Sequence, residues 1–219
     1  MKKLLMIFAF ISVLLVLSPN ASAVYIDFTS ADFSSLAASN QNAFTTTIDG
    51  IGLTLTAIPS DAWLTYNVDS EGDDGIGVNQ PANYDEIDWH EMLIVSFDVP
   101  VYLEMIYLTD LFNEGNPQYL EQGSFQLSNG DSSIFEAESG QLPFPDSNGE
   151  KYLNFDPNLG PISWIIFSAY NGSALGQNHD YSLGGLEVET APVPEPTTIL
   201  LVGTGLIGLV GSRRKFRKP

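Results

Sequence analysis

The chain has 219 residues, a formal net charge of −19 at neutral pH and no cysteine. Residues 24–191 hold 26 of its 27 Asp and Glu side chains against one basic residue, Lys151, so this part repels nucleic acid and anionic lipid, and nucleic-acid binding is excluded. The lack of cysteine also excludes disulfides and thiol chemistry. The length of residues 24–191 predicts one domain with a sizeable core.

The first 23 residues predict a secretory signal peptide. Lys2 and Lys3 form a positive start, residues 4–17 are apolar apart from one Ser, and residues 21–23 (Ala-Ser-Ala) have the pattern that signal peptidase cleaves. The apolar stretch of about 14 residues is shorter than the roughly 20 that a membrane-spanning helix needs. We therefore expect an exported protein whose mature chain starts near Val24.

Residues 24–191 read as short strands separated by turn residues. Ile51–Ile58 alternates apolar and polar positions, which is typical of a half-buried strand. Further strands are predicted at residues 24–28, 63–68, 92–99, 101–112, 124–128, 133–137, 152–155, 162–170 and 181–189. Pro100 is predicted to break two of these strands apart, and residues 30–39 predict a helical turn. The expected fold is all-β, an antiparallel β-sandwich of jelly-roll type, with a C-terminal hydrophobic helix.

The densest polar feature is the segment 69–91, which holds eight carboxylates. Carboxylates at this density repel one another unless a cation lies among them, and Ca²⁺ prefers oxygen ligands. The segment therefore predicts a Ca²⁺ site in a loop between strands, although the EF-hand pattern fails. Its predicted ligands are Asp69, Asp73, Asp74, Asp85 and Asp88. A solvated acidic loop is the alternative.

Trp89 is predicted to be an exposed aromatic platform because polar residues surround it in the sequence Asp-Trp-His-Glu. Sugar sites on β-sandwiches combine exposed aromatic rings with carboxylates, so a polysaccharide-binding module is the alternative function; packing in the core is the alternative for the ring itself. A secreted hydrolase has less support. The chain has no Gly-x-Ser-x-Gly, His-Glu-x-x-His or P-loop motif, and we expect no enzymatic activity.

Residues 192–219 hold three features in a fixed order. Pro194, Glu195 and Pro196 come first, an apolar segment follows over residues 197–211, and a basic cluster ends the chain. The apolar segment covers about 22 Å at ~1.5 Å per residue, against ~30 Å of hydrocarbon in a bilayer, so it spans only a thinned membrane. The positive-inside rule keeps the basic cluster cytoplasmic and the body outside.

This order and spacing resemble the PEP-CTERM sorting tail of exported bacterial proteins. The resemblance covers about residues 192–218 and includes Arg213 and Arg214 in the basic cluster. It implies recognition by an exosortase-type membrane protease near Pro194–Pro196 and delivery to the outer surface or matrix. It also implies a host of Gram-negative type that makes exopolysaccharide or biofilm. An ordinary single-pass anchor is the alternative.

The sequence thus predicts a signal peptide (1–23), a β-sandwich domain (24–191) and a sorting tail (192–219). We expect a non-enzymatic structural or adhesive protein of the cell surface or extracellular matrix, with Ca²⁺ as its candidate cofactor. The expected partners are signal peptidase, an exosortase, exopolysaccharide and, before processing, the membrane that holds the C-terminal helix.

Overall fold

The computed structural model describes residues 22–38, 40–68, 73–79, 86–112, 120–138, 149–170, 179–191 and 204–205. Within these ranges the strands form one 11-stranded sheet. The strands are β1 (Ala23–Asp27), β2 (Ala43–Ile48), β3 (Ile51–Ile58), β4 (Trp63–Val68), β5 (Asp73–Asn79), β6 (Met92–Thr109), β7 (Gln122–Leu127), β8 (Ser132–Glu136), β9 (Lys151–Asn154), β10 (Ile162–Ala169) and β11 (Ser182–Thr190). Short 3₁₀ helices cover Ala31–Ala38 and Pro157–Leu159. Each strand pairing is antiparallel, so the predicted all-β, antiparallel class is confirmed.

Strand alternation places the core on one face of the sheet. β3 alternates between buried and half-buried positions along its whole length, because successive side chains point to opposite faces. The same alternation runs across strands, since residues that pair directly share a face. One such row crosses β1, β11, β6 and β9 and consists of Ile26, Leu186, Ile106 and Leu153. The first three are fully buried and Leu153 packs against the core, so this row faces inward.

β6 is the longest strand and joins two halves of the sheet. Its first half pairs with β3 and β10, and its second half pairs with β11 and β9. The predicted break at Pro100 is wrong, because residues 92–109 form one strand. The register with β10 shifts between Ile162 and Trp164, so residues 97–100 have no partner in that strand. A proline is tolerated at such a bulge because no ladder hydrogen bond needs its missing N–H.

β5 occupies part of the segment that we predicted as an acidic loop. The loop prediction is wrong for residues 73–79, which pair with β4 along its length and with β11 at Ile76. Glycines at 75 and 77 hide the apolar alternation, because glycine has no side chain to show a pattern and a low strand propensity. Ile76 and Val78 are nevertheless fully buried and anchor the strand.

Three further features complete the arrangement of the elements. β1 pairs with β11, so the first and last strands lie side by side. β10 is central, with β6 on one edge and β7 on the other. The predicted helical turn after Ser30 is a 3₁₀ helix.

The predicted signal peptide and sorting tail lie almost wholly outside the described residues. Of the tail, only Thr204 and Gly205 are described, and both are helical. In the part of the chain that the structure describes, no helix combines the length and apolarity needed to cross a membrane.

A substitution at Gly75 tests how closely β5 approaches β11. This glycine has a φ of +108°, and an added Cβ would collide with the carbonyl oxygen of Leu183, a backbone atom that cannot rotate away. We expect Gly75→Ala to lower the free energy of unfolding by more than about 2 kcal/mol, because backbone strain and a clash combine. Gly130→Ala is the matched control, since its φ is +96° but nothing lies within 4 Å of the added Cβ, and about 1 kcal/mol is expected there. Urea unfolding measures both, and equal losses would contradict the close approach.

Candidate functional site

Five carboxyl side chains lie where the segment before β6 meets the segments before β7 and β11, and we call them the acidic corner. They are Glu86, Asp88, Glu91, Glu121 and Asp180. Two backbone hydrogen bonds hold the segments together. The Val78 N–H donates to the Glu86 carbonyl (3.3 Å), and the Ile87 N–H donates to the Tyr181 carbonyl (2.8 Å). The corner is therefore tied directly to β5 and to the start of β11.

A tight turn over residues 88–91 shapes one side of the corner. The Asp88 N–H donates to Glu91 Oε2 (2.9 Å), and the Glu91 N–H donates to the Asp88 carbonyl (3.0 Å). The Trp89 N–H donates to Asp88 Oδ1. His90 adopts a φ of +74°, which completes the reversal of the chain. These local bonds occupy carboxylate oxygens with backbone donors, as capping side chains do at helix ends.

The same turn directs Trp89 outward. Its side chain is 52% exposed, so the predicted exposure of this ring is confirmed. The ring stacks on His90 with centroids 4.1 Å apart and an interplanar angle of 25°. A flat aromatic surface therefore lies beside the buried carboxyl groups.

Asp180 is the centre of the corner. Its side chain hydrogen-bonds to Glu121 and to Glu86, and the charge of Asp88 acts on it. Burial first, and then the charge of Asp88, raise the pKa of Asp180 to about 6, against the opposing effect of the hydrogen bonds. Two carboxyl groups at hydrogen-bond distance share one proton more readily than they hold two charges. The corner is therefore a place where protons are retained well above the ordinary range of an aspartate.

Glu91 is the most deeply buried carboxyl of the group, with 1% of its surface exposed. Its Oε2 accepts the Asp88 N–H, whereas Oε1 has no hydrogen-bond partner. Burial raises the pKa of Glu91 to about 7; the backbone hydrogen bond from Asp88 lowers it, and the charge of Asp88 raises it further. A neutral Glu91 is consistent with a buried oxygen that accepts no donor.

The far side of the corner is formed by Glu121, just before β7, and by His179, in the segment before β11. Glu121 is buried, and its Oε2 accepts the Phe112 N–H. His179 Nδ1 accepts the Gln122 N–H (3.1 Å), so its proton belongs on Nε2. Burial lowers the pKa of His179, which favours the neutral imidazole. This histidine therefore brings little positive charge to the carboxyl groups beside it.

Basic side chains are scarce around the corner. Residues 24–191 contain no Arg, and Lys151 lies 3.8 Å from Glu138. The negative charge of the corner is therefore reduced by shared protons or by a bound cation. Among the described side chains, however, no three from His, Asp and Glu are placed to hold one metal ion.

The structure divides the predicted Ca²⁺ ligands. Asp88 belongs to the acidic corner, while Asp69 and Asp85 lie outside the described residues. Asp73 starts β5, and its backbone lies five residues along the strand from Val78, or roughly 16 Å at ~3.3 Å per residue. The backbones of Asp73 and Asp74 therefore lie at the opposite end of β5 from Glu86, and a site that all five residues share stays a prediction.

Sequence reasoning missed Asp180 and Glu121 as members of the site. Neither carries a local motif, and both are far from Asp88 along the chain. Their only signal is indirect, since Asp180 follows one of the two histidines and immediately precedes a predicted strand.

The described chain is thus an acidic, all-β domain with a buried carboxyl cluster. Residues 192–215 match the PEP-CTERM protein-sorting motif, which confirms the resemblance found in the tail. The motif marks an exported protein that an exosortase sorts to the cell surface. The match covers the tail and not the β domain. No curated protein matches the sequence.

The raised pKa values of Asp180 and Glu91 predict a pH-dependent stability. Between the ordinary carboxyl range and about pH 7 the folded state holds protons that the unfolded state has lost, so stability falls as the pH rises through this window. The effect for Glu91 is on the order of 3 kcal/mol. We expect Glu91→Gln to flatten the fall in melting temperature between about pH 5 and about pH 8, measured by circular dichroism in chelator.

The exposed Asp61 in the turn after β3 provides the matched control. Asp61→Asn should leave the pH dependence unchanged. A Glu91→Gln protein with the same pH profile as the parent would show that Glu91 is already ionised in the folded state.

Proposed function

We propose that this protein is a non-enzymatic structural or adhesive component of the cell surface or of an exopolysaccharide-rich matrix. The sorting motif at residues 192–215 supports the proposal most directly, because it sends the β domain outward. An antiparallel sheet with a continuous apolar core suits a folded module that persists outside the cell. The strong negative charge of the chain keeps such a module soluble and away from anionic surfaces.

The tail acts before delivery in this proposal. The apolar segment 197–211 holds the chain in the membrane for a time, and Arg213 and Arg214 keep its end cytoplasmic. Pro194 and Pro196 each fix φ and lack an N–H, which favours an extended segment that a protease can reach. An exosortase then cuts near Glu195 and releases the domain.

Substitution in the motif tests this route. We expect Glu195→Ala, or deletion of residues 213–218, to stop processing and leave a longer, membrane-retained protein, because each change removes one recognised part of the signal. Gel electrophoresis of membrane and outer fractions measures size and location. Glu189→Gln, in β11 just before the motif, is the control and should be processed normally. Normal size and location for both tail variants would contradict the sorting role.

For the domain itself we propose that the two halves of the sheet close over the core as a jelly-roll-like sandwich. The course of β6 supports this, because one strand pairs with β3 and β10 in one half and with β11 and β9 in the other. The burial of one face of each half also supports it, since an apolar sheet face needs a second layer to cover it.

We also propose that the acidic corner binds Ca²⁺. The described side chains do not by themselves form a three-ligand site, so in this proposal the ion draws Glu86, Asp88 and Glu121 closer around Asp180, and hard cations take oxygen ligands of this kind. Asp85, next to Glu86 in the sequence, is the natural further ligand. In this proposal the ion displaces the shared protons, so its binding strengthens as the pH rises.

Thermal unfolding in chelator and in millimolar Ca²⁺ tests the ion site. A site filled a hundredfold above its Kd adds about 2.7 kcal/mol and raises the melting temperature by several degrees. We expect such a rise for the parent protein, a larger rise at pH 8 than at pH 5, and none for Asp88→Asn or Asp180→Asn. Asp61→Asn should respond as the parent does. A parent protein that does not respond to Ca²⁺ would leave the corner as a proton-sharing cluster.

Polysaccharide binding at Trp89 is the second candidate function. The half-exposed indole, stacked on His90 and adjacent to Asp88, supports it. A sugar ring would lie on the indole face while neighbouring carboxylates accept its hydroxyl protons.

A further inference from the structure

The outer face of the sheet carries a second group of aromatic and acidic side chains. In β1, β11, β6 and β9, the residues on either side of the buried row point to the opposite face of the sheet, away from the core. One outer row consists of Asp27, Gly185, Tyr107 and Tyr152. The next consists of Tyr25, Glu187, Met105 and Asn154. Four strands thus bring three tyrosines onto one surface.

Two of these tyrosines, Tyr25 and Tyr107, lie over glycines in β11. A Cβ on Gly185 would meet the Tyr25 hydroxyl, and a Cβ on Gly184 would meet the Tyr107 ring. The missing side chains therefore let both rings lie low against the strand. Tyr107 in turn stacks on Tyr152, with centroids 4.6 Å apart and 17° between the ring planes. The outcome is a flat aromatic surface, on which Tyr25 is 45% exposed and Tyr152 is 53% exposed.

Carboxylates surround this surface. The Tyr107 hydroxyl donates to Glu150 Oε1 (3.0 Å), and Tyr25 lies close enough to Asp27 and Glu187 to feel their charges. Burial first, and then these charges, raise the pKa of Tyr25 to about 12, so its hydroxyl stays protonated. We call Tyr25, Tyr107, Tyr152, Asp27, Glu150 and Glu187 the tyrosine platform.

The platform faces away from the one basic residue of the domain. Lys151 precedes Tyr152 in β9 and pairs with the buried Leu108, so strand alternation places it on the opposite face. Its Nζ lies 3.8 Å from Glu138. The charges on the platform are thus of one sign.

We propose that the tyrosine platform binds a polysaccharide that carries free amino groups. The flat face of a sugar ring stacks on exposed tyrosine rings through its C–H groups, since the face of an aromatic ring is negative. A sugar ammonium is attracted both by the ring faces and by the flanking carboxylates. The platform extends roughly 14 Å from β1 to β9, at ~4.8 Å per strand, which suits an elongated chain.

Charge and size argue against other occupants. A second copy of this acidic chain, nucleic acid or an anionic polysaccharide would bring negative charge against Glu150 and Glu187. A stable protein partner buries about 800 Å² on each side, whereas two half-exposed tyrosines and the partly buried Tyr107 offer on the order of 300 Å². A cationic glycan needs no such area, because it binds through repeated weak contacts along its length.

Calorimetry with the full chain in detergent tests the proposal. The probes are a glucosamine hexasaccharide at mildly acidic pH, where its amines are charged, and the N-acetylated hexasaccharide as its neutral counterpart. We expect the glucosamine chain to bind at least tenfold more tightly. Tyr152→Ala should weaken binding about tenfold, Glu187→Gln should weaken it several-fold and reduce its salt dependence, and Tyr152→Phe should retain it.

Trp89→Ala distinguishes the platform from the acidic corner. Binding that survives Trp89→Ala and is lost in Tyr152→Ala supports the platform, whichever way the Ca²⁺ experiment falls. Binding that is lost in Trp89→Ala alone overturns it in favour of the second candidate function. Equal affinity for the two hexasaccharides also overturns it. The proposal is also overturned if polylysine binds as tightly as the glucosamine chain and its affinity is unaffected by Tyr152→Ala, because charge alone would then explain the attraction.

Discussion

The domain holds 26 carboxylates and one lysine, so its carboxylates, whether buried or exposed, have almost no basic side chain to pair with. Backbone amides take the place of basic side chains throughout the described structure. The N–H groups of Gly52, Thr29 and Asn158 donate to Asp98 (2.8 Å), Asp27 (3.0 Å) and Asp156 (2.8 Å). In the acidic corner the same device serves Asp88 and Glu91. Where amides do not suffice, carboxyl groups hold protons, and burial raises the pKa values of Asp180 and Glu91 for this reason.

β11 connects the two candidate binding regions. Asp180 lies two residues before β11 begins, and Gly185 and Glu187 lie in the middle of the strand, Gly185 under the tyrosine platform and Glu187 within it. The two regions differ in kind. The corner concentrates carboxyl groups whose pKa values are raised by burial, whereas the platform offers exposed rings with carboxylates at their edges. A protein sorted to the cell surface meets both divalent cations and glycans there, so the two regions are complementary rather than competing.

The features that the sequence predicted correctly are those that depend on local patterns. The sorting motif lies in one continuous stretch of the chain, which includes Pro194–Pro196, so it can be recognised from the sequence alone. The alternation in β3 and the apolar run of β10 are local in the same way, because a strand shows its buried face every second residue. The local pattern predicted neither β5 nor the continuity of β6. Glycines removed the pattern from β5, and a register shift that only the partner strand reveals accommodates Pro100.

By itself, then, the sequence determined an exported, acidic, all-β protein with a C-terminal sorting signal. Only the tertiary structure decided which side chains meet. Asp180, Glu121 and Asp88 are brought together by bonds between segments that are remote in the chain. Tyr25 and Tyr152 share a surface because β1 and β9 join the same four-stranded part of the sheet in a particular register. A slip of one residue in either strand would turn its tyrosine toward the core, and no local pattern specifies register between strands so far apart.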